Sequence, residues 1–357
     1  MALFIKNGPL IIRYGFFCLT AYAIFFFASQ FKSLNTINSA NDPTELCTTI
    51  PIKERLAYAT FLSSNSTFDE DDKYYTAVRT LVYKLLHDPS TSTQIGTDFI
   101  VIVTSSIEEA KILQLERDGA IVRHVEDITS EWSRPGEQRW IDQYTKLRLW
   151  EQTEWDRILY IDADMLVLKS LDEIWSDPAA QLQWSILWAD NTQDEVPVSQ
   201  HYIMAGIDDT GNDHQTPPVS SHTLNGGFFI MKPSTELFKK YMAILQSPDR
   251  FNSYQMEQSL LNYAHDEAGA MPWKRLQPGV WNTNHPDIND YNFGTATLHE
   301  KWWPGGSDWA PAQLRFRYVE DMKNMRQFYN EEFEHHELYD YLLSVLQLEK
   351  TNAQHES

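Results

Sequence analysis

Residues 157–167 read Arg-Ile-Leu-Tyr-Ile-Asp-Ala-Asp-Met-Leu-Val, an apolar run that leads into two aspartates one residue apart. The run is short, nearly uncharged and β-rich, which predicts a buried strand of a parallel sheet over residues 158–161. Asp162 and Asp164 then follow the carboxyl end of that strand, where open α/β sheets bind ligands. Because side chains alternate along extended chain, the two carboxylates point to one side and repel each other. A divalent cation would offset that repulsion, and a helix cap beside a surface carboxylate is the plainer alternative.

The composition is that of a folded globular protein without a nucleic-acid partner. The 357 residues suffice for one large or two ordinary domains, and 42% of them are hydrophobic. The formal net charge of -21 argues against nucleic acid, because phosphate binding needs a basic surface. The cysteines Cys18 and Cys47 lack the spacing of a zinc site, and Cys47 could form an interchain disulfide in an oxidising compartment. Because such a disulfide would join two copies of the chain, the sequence is compatible with a homodimer.

The N-terminal segment predicts a membrane anchor. Residues 14–31 carry no charge and follow Lys6 and Arg13. At ~1.5 Å per residue, a helix of this length just crosses a bilayer core of about 30 Å, and the preceding basic residues place the N-terminus in the cytoplasm. Residues 1–13 are then a cytoplasmic tail and residues 32–53 a stem, with a cleaved signal peptide as the alternative to the anchor. Either way the folded part is predicted to be luminal.

Strands and helices alternate regularly in the first half of the folded part. Predicted strands cover residues 56–62, 98–104, 120–125 and 157–162, and predicted helices cover residues 74–87, 106–119 and 142–152. This alternation is typical of an α/β fold with a Rossmann-like, mostly parallel sheet flanked by helices. Neither the G-x-G-x-x-G fingerprint of dinucleotide binding nor a P-loop is present.

The pattern is less regular beyond Asp164. The predicted elements there are a strand over 182–188, a loop-like stretch over 190–221, helices over 235–246 and 255–265, and an irregular stretch over 266–318. Asn225-Gly226-Gly227 is predicted to be a turn that enters a strand, and its glycines would let the backbone approach a ligand. The folded domain is predicted over residues 54–318, followed by a helical extension and tail over 319–357.

Four motifs occur in a specific order. They are residues 57–64 on the first strand, Tyr144-Thr145-Lys146-Leu147 with Trp150, residues 160–164, and residues 224–228. Together they resemble the glycogenin-like glycosyltransferases of family 8, over roughly residues 55–305. The resemblance implies the GT-A fold and a metal-dependent enzyme that transfers a sugar from a UDP-sugar with retention of the anomeric configuration.

The resemblance also implies a role for each matching position. The implied ligands of a divalent cation, usually manganese, are Asp162, Asp164 and His299. The implied donor-binding residues are Phe61, Ser63, Ser64, Lys146, Asp162, Ala163, Asp164, Asn225, Gly226, Gly227 and Lys301. The implied catalytic residues beside the donor sugar are Gln258, Glu257 and Asp190. Arg134 or Arg139 is a further candidate for the phosphates.

The sequence departs from the family pattern at two positions. The family has an Asp-Gln pair at the start of a helix, where this chain has Glu257-Gln258. Glutamate is one methylene longer than aspartate, which predicts a different sugar subsite. Lys301 stands closer to His299 in sequence than the corresponding family lysine does. The resemblance therefore supports a role of Lys301 on the leaving diphosphate less directly than it supports the other positions.

Two other functions are compatible with the Asp-X-Asp motif. Phosphatases of the haloacid-dehalogenase type carry such a motif on their first strand, whereas here about 100 folded residues precede it. A catalytically inactive, transferase-like carbohydrate-binding protein is the second alternative. The preferred interpretation is a single-pass type II Golgi membrane protein with a luminal catalytic domain, acting on a glycan, glycolipid or glycoprotein.

Overall fold

The computed structural model describes residues 53–63, 72–189, 197–211, 214–303, 305–307 and 309–331. The predicted anchor and residues 32–52 of the predicted stem, together with Ser64 and Asp190, lie outside these ranges. Within them, no helix combines the length and the apolar character needed to cross a membrane.

The described strands are β1 (Leu56–Leu62), β2 (Asp98–Val103), β3 (Ile121–His124), β4 (Arg157–Ile161), β5 (Met165–Val167), β6 (Gln183–Trp184), β7 (His201–Tyr202), β8 (Met204–Asp208), β9 (Leu224–Met231), β10 (Lys274–Arg275), β11 (Asn282–Asn284) and β12 (Thr297–His299). The described α-helices are α1 (Lys73–Leu86), α2 (Glu109–Arg117), α3 (Thr235–Leu245), α4 (Met256–Ala264), α5 (Ile288–Phe293) and α6 (Ala312–Phe328). A nine-residue 3-10 helix covers Gln143–Glu151.

A seven-stranded sheet forms the centre of the fold, in the order β10-β8-β9-β4-β1-β2-β3. The pairs β4–β1, β1–β2, β2–β3 and β8–β10 are parallel, whereas β9 runs antiparallel to both β4 and β8. The predicted mostly parallel α/β sheet is therefore confirmed. A three-stranded sheet, β11-β12-β5, lies beside it and carries His299 at the end of β12.

Each face of the large sheet packs against its own apolar core. On β1, Ala57, Ala59 and Phe61 belong to one core, and Tyr58 and Leu62 belong to the other, as the alternation of strand side chains requires. Helices α3 and α4 and the 3-10 helix cover the first core, and α1, α2 and α6 cover the second. A sheet buried on both faces explains why its central strands read as continuous apolar runs.

Two predicted elements between β5 and β9 are wrong. The strand predicted over 182–188 is reduced to β6, which pairs only with β7, and a 3-10 turn follows at Leu187–Ala189. Its apolar residues do not enter a core, because Leu182, Trp184 and Trp188 are exposed. Conversely, the stretch predicted to be loop-like contains β8, a fully buried strand between β9 and β10.

Three further differences concern element type and bounds. Asn225-Gly226-Gly227 lies within β9 rather than in a turn before it, since Leu224 already pairs with Asp208 of β8. The helix predicted over 142–152 is a 3-10 helix, which is uncommon at that length. The C-terminal helix begins at Ala312, directly after Pro311. It therefore starts within the stretch predicted to be irregular, 266–318, and not in the predicted extension over 319–357.

Candidate active site

The cleft lies at one edge of the large sheet, where ends of β1, β4 and β9 come together. β1 and β4 are parallel, so their carboxyl ends lie at the same edge of the sheet. Phe61, Ser63 and Asp162 lie at these ends. β9 is antiparallel to β4, which brings its amino end to this edge, and the Asp162 backbone N–H donates to the Gly227 carbonyl at 2.8 Å. The resulting cleft has a volume of about 430 Å³.

The small sheet places His299 beside the two aspartates. β12 pairs with β5 so that His299 stands opposite Met165, the residue after Asp164. His299 Nε2 lies 3.0 Å from Asp164 Oδ1 and 3.8 Å from Asp162 Oδ2. Burial opposes ionisation of Asp164, but the adjacent His299 holds the pKa of that carboxyl well below its usual range.

These three side chains fit a divalent cation. One ligand atom from each of Asp162, Asp164 and His299 can be chosen so that all lie within 4.8 Å of one another. Gly227 opens the space around them, since a Cβ there would come within 2.5 Å of His299 Cε1 and 2.6 Å of Asp162 Oδ2. Two carboxylates with one imidazole suit manganese better than calcium, which prefers oxygen ligands alone.

Gly227→Ala is expected to lower the sugar transfer that the family resemblance implies by about 10²-fold, because even a small displacement of His299 or Asp162 misaligns the reacting groups. The added methyl has no space unless these side chains shift. Initial rates with manganese measure the effect. Gly211→Ala is the matched control, since nothing lies within 4 Å of its added Cβ. Transfer by Gly227→Ala within threefold of wild type would show that the close approach has no role.

A buried lysine connects the metal-ligand candidates to helix α4. Lys146 Nζ lies 3.0 Å from Asp162 Oδ1 and 2.9 Å from Glu257 Oε1. Tyr160 OH donates to the same Asp162 Oδ1 at 2.6 Å, which leaves Oδ2 directed toward His299. Burial alone would lower the pKa of Lys146, but the carboxylates of Asp162 and Glu257 raise it well above its usual value. Burial raises the pKa of Glu257 to about 7, and Lys146 limits that rise.

A hydrogen-bonded cradle lies at the amino end of β9. Gln258 Oε1 accepts from the Gly226 backbone N–H at 2.7 Å, and Asn225 Oδ1 accepts from Gly227 N–H at 2.9 Å. Helix α4 begins at Met256, whose φ of 49° is unusual for a residue with a side chain. Such backbone strain is concentrated at functional sites, and the next two residues, Glu257 and Gln258, line the cleft.

Asp209 organises this cradle and was missed by the sequence interpretation. Its Oδ2 accepts from Gln258 at 2.7 Å and Gln255 at 3.2 Å, and its Oδ1 accepts from Asn284 at 2.9 Å and Asn225 at 3.3 Å. The only signal for it in the sequence was the pair Asp208-Asp209, which lay in a stretch predicted to be a loop. Its role becomes visible once β8 is known to run beside β9.

Nearly all sequence-predicted site residues line the same cleft. Those present are Phe61, Ser63, Lys146, Asp162, Ala163, Asp164, Asn225, Gly226, Gly227, Glu257, Gln258, His299 and Lys301. Ser64 and Asp190 lie outside the described residues. Of the two candidate arginines, Arg139 lines the cleft, whereas Arg134 donates to the backbone carbonyls of Glu131 and Ser133. Residues that the sequence did not indicate also line it: Tyr74, Trp140, Gln143, Tyr160, Gln255 and His285.

Comparison with known proteins identifies the family. A sequence model of glycosyl transferase family 8 matches residues 65–264. An uncharacterized protein of Schizosaccharomyces pombe is 31% identical over 266 residues, which cover 66% of this chain and 69% of that protein. Galactinol synthase 1 of Solanum lycopersicum is 25% identical over 274 residues, 74% of this chain and 77% of that enzyme.

The crystal structure of galactosyltransferase LgtC, solved with donor and acceptor sugar analogs, aligns with a TM-score of 0.44 and 15% identity over 75% of this chain and 96% of that one. The family match spans more than half of the chain and contains the Asp162-Ala163-Asp164 motif, the Lys146 helix and the Asn225 strand. The chain belongs to glycosyl transferase family 8.

Proposed function

We propose that the protein is a manganese-dependent enzyme that transfers a sugar from a UDP-sugar to a hydroxylated acceptor and keeps the anomeric configuration. One observation carries the proposal: the two carboxylates and the imidazole that fit a cation share a single cleft with the Asn225–Gly227 cradle and with Gln258. Family membership supports sugar transfer, and with it the phosphatase interpretation of the Asp-X-Asp motif is given up.

The donor would extend along the sheet edge. Phe61 and Ser63, at the end of β1, are proposed to hold the uracil and ribose. Negative charge develops on the diphosphate as the bond between sugar and phosphate breaks, and the ammonium groups of Lys146 and Lys301 lie in the cleft to stabilise it. A cation held by Asp162, Asp164 and His299 would add electrostatic stabilisation of the same charge.

The donor sugar would occupy the cradle beside helix α4. Asn225 and the Gly226–Gly227 backbone would bind its hydroxyls, while Gln258 or Glu257 would lie near the anomeric carbon. Asp209 would fix the orientation of Gln258 through its 2.7 Å hydrogen bond. Asp190, from the sequence resemblance, stays a proposed further contact with the sugar.

The secretory pathway is the proposed location. The uncharged stretch over residues 14–31 behind basic residues supports a single-pass type II Golgi membrane protein with a luminal catalytic domain. A glycan, glycolipid or glycoprotein is then the proposed acceptor class. Galactinol synthase 1, by its name, makes galactinol, so the acceptor of that reaction belongs in any acceptor screen.

The test is UDP release from a panel of UDP-sugars, with manganese and with EDTA. Manganese-dependent release from one donor, abolished by EDTA, is the expected result and would identify the sugar. Release that is equal in EDTA would contradict the cation assignment. UDP binding without release from any donor, in the presence of the acceptor panel, would favour the inactive carbohydrate-binding alternative instead.

A further inference from the structure

His285 lines the cleft without a role in the donor assignments above. It follows β11 directly, and its backbone N–H donates to the His299 carbonyl at 3.1 Å. Its φ of 51° lies in the left-handed region, which residues with side chains rarely adopt. Unusual backbone of this kind persists where the surrounding structure fixes it, often at ligand sites. His285 is therefore held at one position beside the metal-ligand candidates.

A buried carboxylate orients the His285 ring. Glu300 Oε2 lies 3.2 Å from His285 Nδ1, and Glu300 Oε1 accepts from the Lys301 backbone N–H at 2.8 Å and from the Ser307 hydroxyl. An ionised carboxylate only accepts hydrogen bonds, so Nδ1 is the donor in this contact. In the neutral ring Nε2 then carries the lone pair and can accept a hydrogen bond from a hydroxyl group.

An exposed tryptophan stands next to His285. The ring centroids of His285 and Trp309 are 6.0 Å apart, and 56% of Trp309 is exposed. A tryptophan offers a flat apolar face with a polar edge, which complements the apolar face of a sugar ring. His285 lines the cleft and offers an acceptor for a hydroxyl hydrogen bond, and Trp309, just outside the lining residues, offers a face for stacking next to it.

We propose that His285 and Trp309 form the acceptor subsite, which takes a neutral sugar ring or polyol, with Glu300 as the residue that positions His285. The ring stacks on Trp309 while one of its hydroxyls donates to His285 Nε2. A neutral acceptor is favoured over an anionic one, because Trp309 and the neutral ring of His285 supply a stacking face and a hydrogen-bond acceptor but no positive charge. This inference rests on the proposed transferase function and adds the acceptor side of the same cleft.

The experiment measures binding of methyl glycosides to the full chain by saturation-transfer NMR, with UDP and Mg²⁺ present. Methyl glucoside, galactoside, mannoside and xyloside, together with myo-inositol, are the probes. We expect Trp309→Ala to weaken binding of the preferred probe at least tenfold and His285→Asn to have a similar effect. Asparagine tolerates positive φ, so His285→Asn preserves the loop conformation. The affinity for UDP, measured by calorimetry, should change less than twofold in both variants.

Three further variants make the test specific. Trp188→Ala is the matched control, since Trp188 is 88% exposed and, unlike Trp309, makes no ring contact with His285; it should bind the probes like wild type. Glu300→Ala should change the imidazole ¹⁵N shifts of His285, which report the tautomer, and weaken probe binding, whereas Glu300→Gln retains an acceptor for Nδ1–H and should restore both. A purely structural role for Glu300 would leave the tautomer signature unchanged.

The outcomes separate this inference from the transferase proposal. Equal probe binding by wild type and Trp309→Ala, or no probe binding by wild type, would overturn the acceptor subsite even if UDP-sugar turnover is found. Probe binding that depends on Trp309 and His285, without UDP release from any donor, would support the subsite and contradict the transferase function.

Discussion

Asp164→Asn is expected to lower sugar transfer by about 10³-fold while the fold stays intact. The substitution preserves the shape of the side chain but removes the negative charge that faces His299 at 3.0 Å. A neutral amide is a poorer cation ligand, and it also lacks the negative charge that pairs with His299. Initial rates of transfer at saturating manganese measure the effect, with thermal unfolding as the check on the fold.

The control for this prediction is Asp266→Asn, the same chemical change at an exposed position outside the cleft. It should transfer sugar like wild type. Transfer by Asp164→Asn at nearly the wild-type rate in manganese would contradict the assignment of Asp164 as a cation ligand.

Lys84→Met is expected to reduce the free energy of unfolding by about 3–5 kcal/mol, because it removes one partner of a buried ion pair. Lys84 Nζ, buried in helix α1, lies 2.6 Å from Asp88 Oδ2 and 3.2 Å from Asp321 Oδ1 of helix α6. Methionine fills a similar volume but leaves both carboxylates without the ammonium group. Urea unfolding at pH 7 measures the loss.

The direction of the pH dependence gives an independent check. Burial already raises the pKa of Asp321, and Lys84 opposes that rise. Without Lys84 the pKa of Asp321 rises further, so the folded variant takes up a proton more readily than the unfolded chain. The stability deficit should therefore be largest at neutral pH and shrink as the pH falls through the pKa of Asp321.

Arg317→Met provides the matched control on the same carboxylate. Its Nε lies 3.6 Å from Asp321 Oδ1, and the side chain is 44% exposed, so its loss should cost under ~1 kcal/mol. If Lys84→Met were no more destabilising than Arg317→Met, the contact between α1 and α6 would not depend on this ion pair.

Local patterns in the sequence were sufficient for the main architecture and for most of the cleft. The apolar run before Asp162 predicted β4, and the alternation of elements around it predicted a mostly parallel α/β sheet, as the pairing of β1 with β2 and β4 shows. Strands buried on both faces give strong signals, because nearly every position is apolar. The implied site residues that the structure describes then meet in one cleft, since β1, β4 and β9 all reach the same edge.

Local sequence patterns did not predict the short elements in the second half of the chain. β8 has five residues and lies in a region rich in Asp, Pro and Gly, so its place between β9 and β10 depends on partners distant in sequence. The exposed residues of 182–188 have an apolar composition but no core to join. Composition alone does not tell a buried strand from a surface segment when the run is short.

The sequence by itself determined the type of sheet, the Asp162-Ala163-Asp164 motif at the end of β4, and the family. Only the tertiary structure decided which other side chains complete the site. Asp209 meets Asn225, Gln255, Gln258 and Asn284, residues from 16 to 75 positions away. His285 is oriented by Glu300 in the same way. The physical reason is that these contacts come from the pairing of strands and packing of loops that are distant in the chain, which no local periodicity encodes.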